Sequence, residues 1–119
     1  MKTPTSIIMK THSAKNKGRR LQQQVARDIA EALCLEADDV RSTSMGASGA
    51  DVLLSPKAKS VFPYYVECKN QERLNVWSAL EQAEAGSKDS GLTPLVVFKR
   101  NRSKAYAVVE WNDFLERFK

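Results

Sequence analysis

The chain has 119 residues, of which 42% are hydrophobic and 28% are charged. That length suits one compact domain, and that apolar content excludes a disordered chain. The net charge of +5 is compatible with a nucleic-acid partner, although many basic domains bind no nucleic acid. No stretch approaches the roughly 20 apolar residues of a membrane span, and the first residues lack the pattern of a signal peptide. We therefore expect a cytoplasmic protein without a membrane partner.

The N-terminal third of the chain is first polar and then amphipathic. Residues 1–16 are polar and basic, and we expect a flexible arm there, in front of a single domain over residues 17–119. Beyond the arm, Leu21, Val25 and Ile29 recur at the spacing of one helix face. This spacing predicts an amphipathic helix that packs on the rest of the domain.

The middle third is rich in β-forming residues. Short strands are predicted near residues 40–43 and 51–54, with a turn rich in Gly and Ser between them. The segment SPKAKS is typical of a polar turn. The segment VFPYYVECK predicts a further strand, whose beginning lies at an edge or a bulge because of Pro63.

The last third alternates helix and strand. The segment NVWSALEQAEAGS predicts a helix closed by Gly86, and TPLVVFK and KAYAVVEW predict two strands joined by a basic turn. The segment WNDFLERFK predicts a short helix with Asn112 or Asp113 as its cap. Because a strand-helix-strand unit needs a crossover, this order predicts an α/β fold with a mixed central sheet of about five strands flanked by helices.

Three charged residues occur where the predicted strands should bury apolar side chains. Asp51 opens one strand, and Glu67 and Lys69 lie near the end of the next. Side chains alternate along a strand, so Glu67 and Lys69 share a face, and Asp51 converges on them if the strands pair. Converging carboxylates repel each other unless a cation such as Mg²⁺ lies between them, and Lys69 would then hold a water or stabilise a phosphate. The alternative is a solvated ion pair at a strand end.

Four segments of the chain follow one another in the order of a known nuclease family. They are KGRRLQQQVARDIAEAL, RSTSMGASGADVLL, YYVECKN and NVWSALEQAEA. In this order the chain resembles the PD-(D/E)xK nuclease superfamily, and within it the archaeal-type Holliday-junction resolvases and small phage nucleases. The resemblance covers residues 17–110, and it depends on order and spacing because each motif is short. It implies a restriction-endonuclease-like fold and Mg²⁺-dependent phosphodiester hydrolysis, with Mn²⁺ as a substitute for Mg²⁺.

The resemblance also implies roles for individual residues. Asp51 and Glu67 would be metal ligands, helped by the main-chain carbonyl of Cys68, and Lys69 would be the catalytic lysine. The chain departs from the family at Gln22, where resolvases often carry a glutamate that contributes to the metal site. A neutral amide there can orient a water or bind metal weakly, which leaves one metal or two open.

Two further positions resemble family residues near the site. Gln82 lies on the second predicted helix, where many members place a Gln or Lys beside the site. Ser44 resembles a serine that resolvases keep near the phosphate. Each has a plain alternative: Gln22 and Gln82 would be ordinary helix-surface residues, and Ser44 a turn-forming serine.

Basic residues cluster at the start of the first helix and around the turn between the last two strands. They are candidates for contacts with DNA phosphates, which give affinity and salt sensitivity rather than sequence readout. The alternative for each is a solvated surface charge. The candidates are Lys17, Arg19, Arg20, Lys99, Arg100 and Arg102.

The aromatic residues of the helices are expected in the core or in a dimer interface, before any role in stacking on bases. These are Trp77, Trp111, Phe114 and Phe118. A homodimer is expected because a small domain cleaves both strands of DNA most easily as a symmetric pair.

The sequence as a whole favours a DNA endonuclease of phage or mobile-element type that acts in the host-cell cytoplasm on branched or duplex DNA. One alternative is a non-catalytic DNA-binding or assembly protein that keeps the nuclease fold, which would show no metal dependence at Asp51 and Glu67. Another is a basic adaptor without a nucleic-acid role, whose DNA affinity would be too low to fall with rising salt.

Overall fold

The computed structural model describes residues 3–43 and 49–119, with side chains from residue 13 onward. Within these residues the chain forms four α-helices and five strands, and a short 3₁₀ helix (Ala37–Asp39) lies between the first helix and the first strand. In chain order they are α1 (Thr3–Ala32), β1 (Val40–Ser42), β2 (Val52–Leu54), α2 (Pro56–Val61), β3 (Tyr64–Asn70), α3 (Val76–Ser87), β4 (Thr93–Lys99), β5 (Tyr106–Val108) and α4 (Trp111–Glu116). None of the described helices combines the length and the apolar character that a membrane span needs.

The first helix, α1, is longer than the sequence predicts. It begins at Thr3, so the segment expected as a flexible arm is helical from that residue, and the division into arm and domain stays a prediction. The amphipathic part is confirmed, because Leu21, Val25 and Ile29 are all buried. This face of α1 packs on β1 and β3 and covers one side of the core.

The strands form two sheets that meet at β3. β1 pairs antiparallel with β2, whereas β3 pairs parallel with β4 and β4 pairs antiparallel with β5. The parallel pair requires a crossover, which α3 supplies. The predicted α/β fold with five strands, mixed pairing and flanking helices is therefore confirmed, with the strands divided between a two-stranded and a three-stranded sheet. A main-chain hydrogen bond of 2.9 Å from the Asp51 N–H to the Val66 carbonyl joins the two sheets.

Helices cover β3 on both faces. Val66 and Cys68 belong to the core cluster that includes the apolar residues of α1. By alternation Tyr65 points to the opposite face, where its hydroxyl lies against Gly86 of α3. Ala83 of α3 is fully buried, so the small residues of this helix allow it to approach the sheet closely.

The segment SPKAKS is a helix, which corrects the prediction of a polar turn. α2 begins at Pro56, whose fixed φ suits the first helical position. Ser55 caps the helix because its Oγ accepts the Ala58 N–H over 3.1 Å. Ala58 is fully buried, so this short helix also covers part of the core.

The ends of the last two helices also differ from the prediction. α3 runs through Gly86 to Ser87, so Gly86 lies within the helix instead of closing it. α4 is capped by Glu110 rather than by Asn112 or Asp113, since the Glu110 carboxylate accepts the Asn112 N–H over 2.6 Å. Both differences shift a helix boundary by a residue or two, which sequence patterns resolve poorly.

The aromatic residues expected in the core or an interface lie at the surface. The exposed fractions are 77% for Trp77, 67% for Trp111, 43% for Phe114 and 75% for Phe118. The rings of Trp111 at the start of α4 and of Phe118 just after its end pack against Phe114, with centroids 6.0 and 5.2 Å from that of Phe114. A core position is therefore wrong for these residues, and the dimer interface stays a prediction.

Replacing Gly86 by alanine should destabilise the protein, although alanine is normally the better helix former. A Cβ at this position would lie 2.6 Å from Cζ of Tyr65 and would also clash with the hydroxyl oxygen of that ring. Because Tyr65 is buried, we expect the free energy of unfolding to fall by about 1–3 kcal/mol. Thermal unfolding measures this loss. In a Tyr65→Phe background the loss should be smaller, and a rise in Tm for Gly86→Ala alone would contradict the close packing.

Candidate active site

Asp51 lies where the two sheets meet, and it bonds to β3 through both its main chain and its side chain. Its N–H donates to the Val66 carbonyl over 2.9 Å, and its Oδ2 accepts the Cys68 N–H over 2.7 Å. The Asp51 carbonyl in turn accepts two bonds from Thr43, at 3.0 Å from the N–H and 3.3 Å from the hydroxyl. These four bonds fix the half-buried Asp51 carboxylate beside the outer edge of β3.

The Glu67 carboxylate is buried next to Asp51, and the residue is only 4% exposed. Burial, and after it the negative charge of Asp51, raises the pKa of Glu67 to about 7, whereas the nearby Lys69 ammonium acts in the opposite direction. The fold thus holds two carboxylates together with incomplete compensation of their charge. A cation between them would remove this electrostatic cost.

Lys69 and Gln82 line one cavity between the end of β3 and α3. The cavity has a volume of about 180 Å³ and is also lined by Asn75 and Ser78 of the first turn of α3. Lys69 is half-buried, and Gln82 is exposed. By strand alternation Glu67 points to the same face as Lys69, so the second carboxylate, the lysine and Gln82 lie on one side of the sheet.

Gln22 is buried on α1, with an exposed fraction of 5%. It is therefore not a helix-surface residue. Its Oε1 has no hydrogen-bond partner among the described residues, which is costly for a buried amide oxygen unless a water or a cation satisfies it. In the described part of the chain, no hydrogen bond joins Gln22 to Asp51 or Glu67.

The oxygen donors of this region fit a hard divalent cation. Such cations prefer carboxylate and carbonyl oxygens, and Asp51 and Glu67 supply two adjacent carboxylates. Among residues 3–43 and 49–119, no group of three or more His, Cys, Asp or Glu side chains could hold a metal ion. Further ligands would therefore come from a side-chain amide such as Gln22, from the main chain, from water or from the phosphate of a substrate.

The main chain of Cys68 is oriented toward this point. The N–H and C=O of one strand residue point to the same edge, and the Cys68 N–H points to the Asp51 carboxylate. The Cys68 carbonyl therefore faces the same edge as Asp51, which is compatible with a ligand role. The thiol packs in the core of the opposite face, and burial raises the pKa of Cys68, so the side chain stays a neutral thiol.

The predicted phosphate contacts of α1 and of the β4–β5 turn come together in one basic cleft. The cleft has a volume of about 270 Å³ and lies at the ends of β3 and β4, on the α1 side. Its cationic lining residues are Lys17, Arg20, Lys99 and Arg102. No acidic side chain of the described residues lines it. Arg19 and Arg100 are exposed outside the cleft, and Ser44 lies outside the described residues.

Sequence reasoning missed three residues that shape this region. Thr43 holds the main chain of Asp51, and Asn70 donates from Nδ2 to the Lys17 carbonyl over 3.4 Å, which ties α1 to the end of β3. Tyr65 precedes Glu67 on the same strand face, and burial raises the pKa of its hydroxyl, which keeps it a neutral donor. Alternation along YYVECKN indicates the position of Tyr65, whereas the other two contacts join residues distant in sequence.

In metal-free protein, Glu67→Gln should raise stability at neutral pH. The folded-state pKa of Glu67, about 7, exceeds the ordinary value of 4.5. The contribution of this carboxyl group to the free energy of unfolding is therefore fully present below pH 4.5 and is lost as the pH rises to about 7. We expect Glu67→Gln to gain about 1–2 kcal/mol at pH 8 and nothing at pH 4.5. Thermal unfolding from pH 4.5 to 8 tests this, with the exposed Glu84→Gln as control. Parallel pH profiles for wild type and Glu67→Gln would refute it.

Comparison with protein families places this constellation in a known group. A family model described as "Phage putative PDDEXK endonuclease" matches residues 13–118, which include Asp51, Glu67 and Lys69. The comparisons with curated proteins and with solved structures found no match. Because the family model covers nearly the whole chain, with the carboxylates and the lysine in the order of the motif, the chain belongs to the phage PD-(D/E)xK endonuclease family.

Proposed function

We propose that this protein is a DNA endonuclease that depends on a divalent metal ion. The observation that supports this most directly is the burial of Glu67 against Asp51, in a chain that belongs to a nuclease family. Packing alone does not require two adjacent carboxylates, because each buried charge costs stability unless it is paired. Two adjacent carboxylates at a sheet edge, beside a half-buried lysine, are the arrangement expected of a metal-dependent phosphodiesterase.

Asp51 and Glu67 would hold the cation, Mg²⁺ or Mn²⁺ in its place, together with the main-chain carbonyl of Cys68. The chemistry that such a cation supplies when bound is neutralisation of charge on the phosphate and activation of the attacking water. The Lys69 ammonium would donate to that water or to a phosphate oxygen, since it lines the cavity between the end of β3 and α3. Gln82 contributes an amide from the opposite wall of this cavity.

Gln22 would have a supporting role. It brings no charge, so it would orient a water through its unpartnered amide oxygen rather than replace a carboxylate ligand. This neutral residue is also the one observation that favours a second candidate function, a DNA-binding protein that keeps the nuclease fold without catalysis. The two functions differ in whether metal ions matter at Asp51 and Glu67.

The substrate that the family implies is DNA, and we propose branched or duplex DNA in the cytoplasm of a phage-infected host cell. The basic cleft would hold backbone phosphates, with Arg19 and Arg100 as outer contacts. A homodimer would set one site on each strand, and the exposed aromatic residues of α4 offer a surface for it. Sedimentation that shows only monomers on DNA would remove the dimer.

Cleavage should require the metal ion, Asp51 and Lys69. We expect cutting in Mg²⁺ and in Mn²⁺, and a loss of at least about 10²-fold in rate for Lys69→Ala and Asp51→Asn. Asparagine keeps an oxygen that accepts the Cys68 N–H, so this variant removes the charge and leaves the link between the sheets. The assay compares supercoiled plasmid, linear duplex, flap and four-way junction, and the preferred substrate identifies the role.

The matched control is Lys88→Ala, which removes an exposed lysine at the end of α3. If Lys88→Ala cuts as wild type does and the two site variants do not, the charges form the active site. If the wild type binds DNA but cuts none of the four substrates, and calorimetry shows no binding of Mg²⁺ or Mn²⁺, the non-catalytic function replaces the nuclease.

DNA affinity should depend on the basic cleft in a salt-dependent manner. The slope of log K against log salt concentration is negative. In metal-free buffer, Arg20→Ala and Arg102→Ala should each reduce its magnitude by about 1, and the double variant by about 2. Fluorescence anisotropy at salt concentrations between about 50 and 200 mM measures these slopes. Lys88→Ala again serves as control. Equal slopes in all variants would show that phosphates do not enter the cleft.

A further inference from the structure

Two aromatic residues, Phe98 and Tyr106, lie in the same row of the sheet as the proposed catalytic residue Lys69. The strand register pairs Lys69 of β3 with Phe98 of β4, and Phe98 with Tyr106 of β5. Directly paired residues point to the same face, so these three side chains form one line across the α3 side of the sheet. Tyr106 is 58% exposed, although it sits in a strand and its ring centroid is 6.1 Å from that of Phe98.

A groove leads from Lys69 to Tyr106. The larger cavity on this face, about 330 Å³, is lined by Phe98 and Tyr106, and it shares Gln71 and Leu74 with the smaller cavity that contains Lys69. The two cavities are therefore neighbours along one path. Two strand spacings separate the ends of this path, roughly 10 Å.

The rim of this groove suits a nucleotide strand. Arg100, which directly follows β4, lines it, so a cation lies beside the aromatic floor. Lys99 lines both this groove and the basic cleft on the other face, so the two adjoin at the end of β4. The one carboxylate that lines the groove among the described residues, Glu72, accepts the Asn101 N–H over 2.7 Å and so holds the β4–β5 turn.

We propose that this groove binds an unpaired nucleobase of the substrate strand, stacked on Tyr106, while the neighbouring phosphate lies at Lys69. An exposed aromatic ring next to cations is the usual platform for single-stranded nucleic acid, because stacking tolerates any base. A base within a duplex is covered on both faces and cannot stack on a protein ring unless it leaves the helix. The proposal rests on the proposed function, and it specifies the substrate class as DNA with unpaired nucleotides beside the cut.

The test measures binding in metal-free buffer, so that it does not depend on cleavage. Fluorescein-labelled DNAs are compared by anisotropy at constant salt: duplexes with a 5′ or 3′ single-stranded flap, the same flaps built from abasic nucleotides, and a fully paired duplex. The variants are Tyr106→Ala, Tyr106→Phe and, as a control for an exposed aromatic residue on another element, Trp111→Ala. Thermal unfolding checks that each variant folds.

We expect Tyr106→Ala to weaken binding of at least one flap by about 5- to 150-fold and to leave the abasic flaps and the paired duplex unchanged. Tyr106→Phe should keep most of the affinity, because it keeps the ring. Trp111→Ala should show no difference that depends on the bases. An equal loss on all DNAs, or no loss on either flap, would overturn the proposal.

Failure of this proposal is distinguishable from failure of the proposed function. If Tyr106→Ala loses affinity in a base-dependent manner but the wild type cuts nothing, the groove is a base-binding site and the nuclease activity is wrong. If the wild type cuts DNA and the base-dependent loss is absent, only the groove proposal is overturned. If the protein binds none of these DNAs and also cuts none of them in Mg²⁺ or Mn²⁺, both are overturned.

Discussion

The bonds of Asp51 to β3 are the contact on which the architecture depends. A hairpin as short as β1–β2 has little stability of its own, and the Asp51 main chain and carboxylate attach it to the three-stranded sheet at Val66 and Cys68. The carboxylate substitutes for a strand partner, because it satisfies an N–H that the edge of β3 would otherwise expose. The position of a charged group at the junction follows from this hydrogen bonding, and the same bonds fix the direction in which the charge points.

Glu67 presents the opposite case, a charge that the fold tolerates at a cost. It lies on a strand covered by α1 and α3, where an apolar residue would be the stable choice. Burial and the neighbouring Asp51 both disfavour its ionised form, and only Lys69 opposes them. Asp51 therefore stabilises the fold through its hydrogen bonds, whereas the burial of Glu67 costs stability.

Much of this organisation is predictable from the sequence where the determining interactions are local. The segment TPLVVFK predicts the bounds of β4, since turn residues delimit it, and alternation in YYVECKN places Glu67 and Lys69 on one face. The helix at SPKAKS was missed because serine and proline favour both turns and helix starts, and the burial of Ala58 decides between them. Lys17 and Arg20 lie beside the β4–β5 turn because of the way α1 crosses the sheet. No local sequence pattern predicts that contact.

The parallel pairing of β3 with β4 also has a consequence for how the molecule assembles. Tyr64 pairs with Thr93 across the whole α3 crossover, whereas Ser42 with Val52 and Phe98 with Tyr106 close much shorter loops. Long loops cost more entropy to close, so the hairpins and α1 are expected to form early and the β3–β4 ladder late. Lys69 meets the wall of α3 only when that ladder closes. A partly folded chain, including one still emerging from the ribosome, would therefore carry Asp51, Glu67 and Lys69 without the cavity that α3 forms beside Lys69.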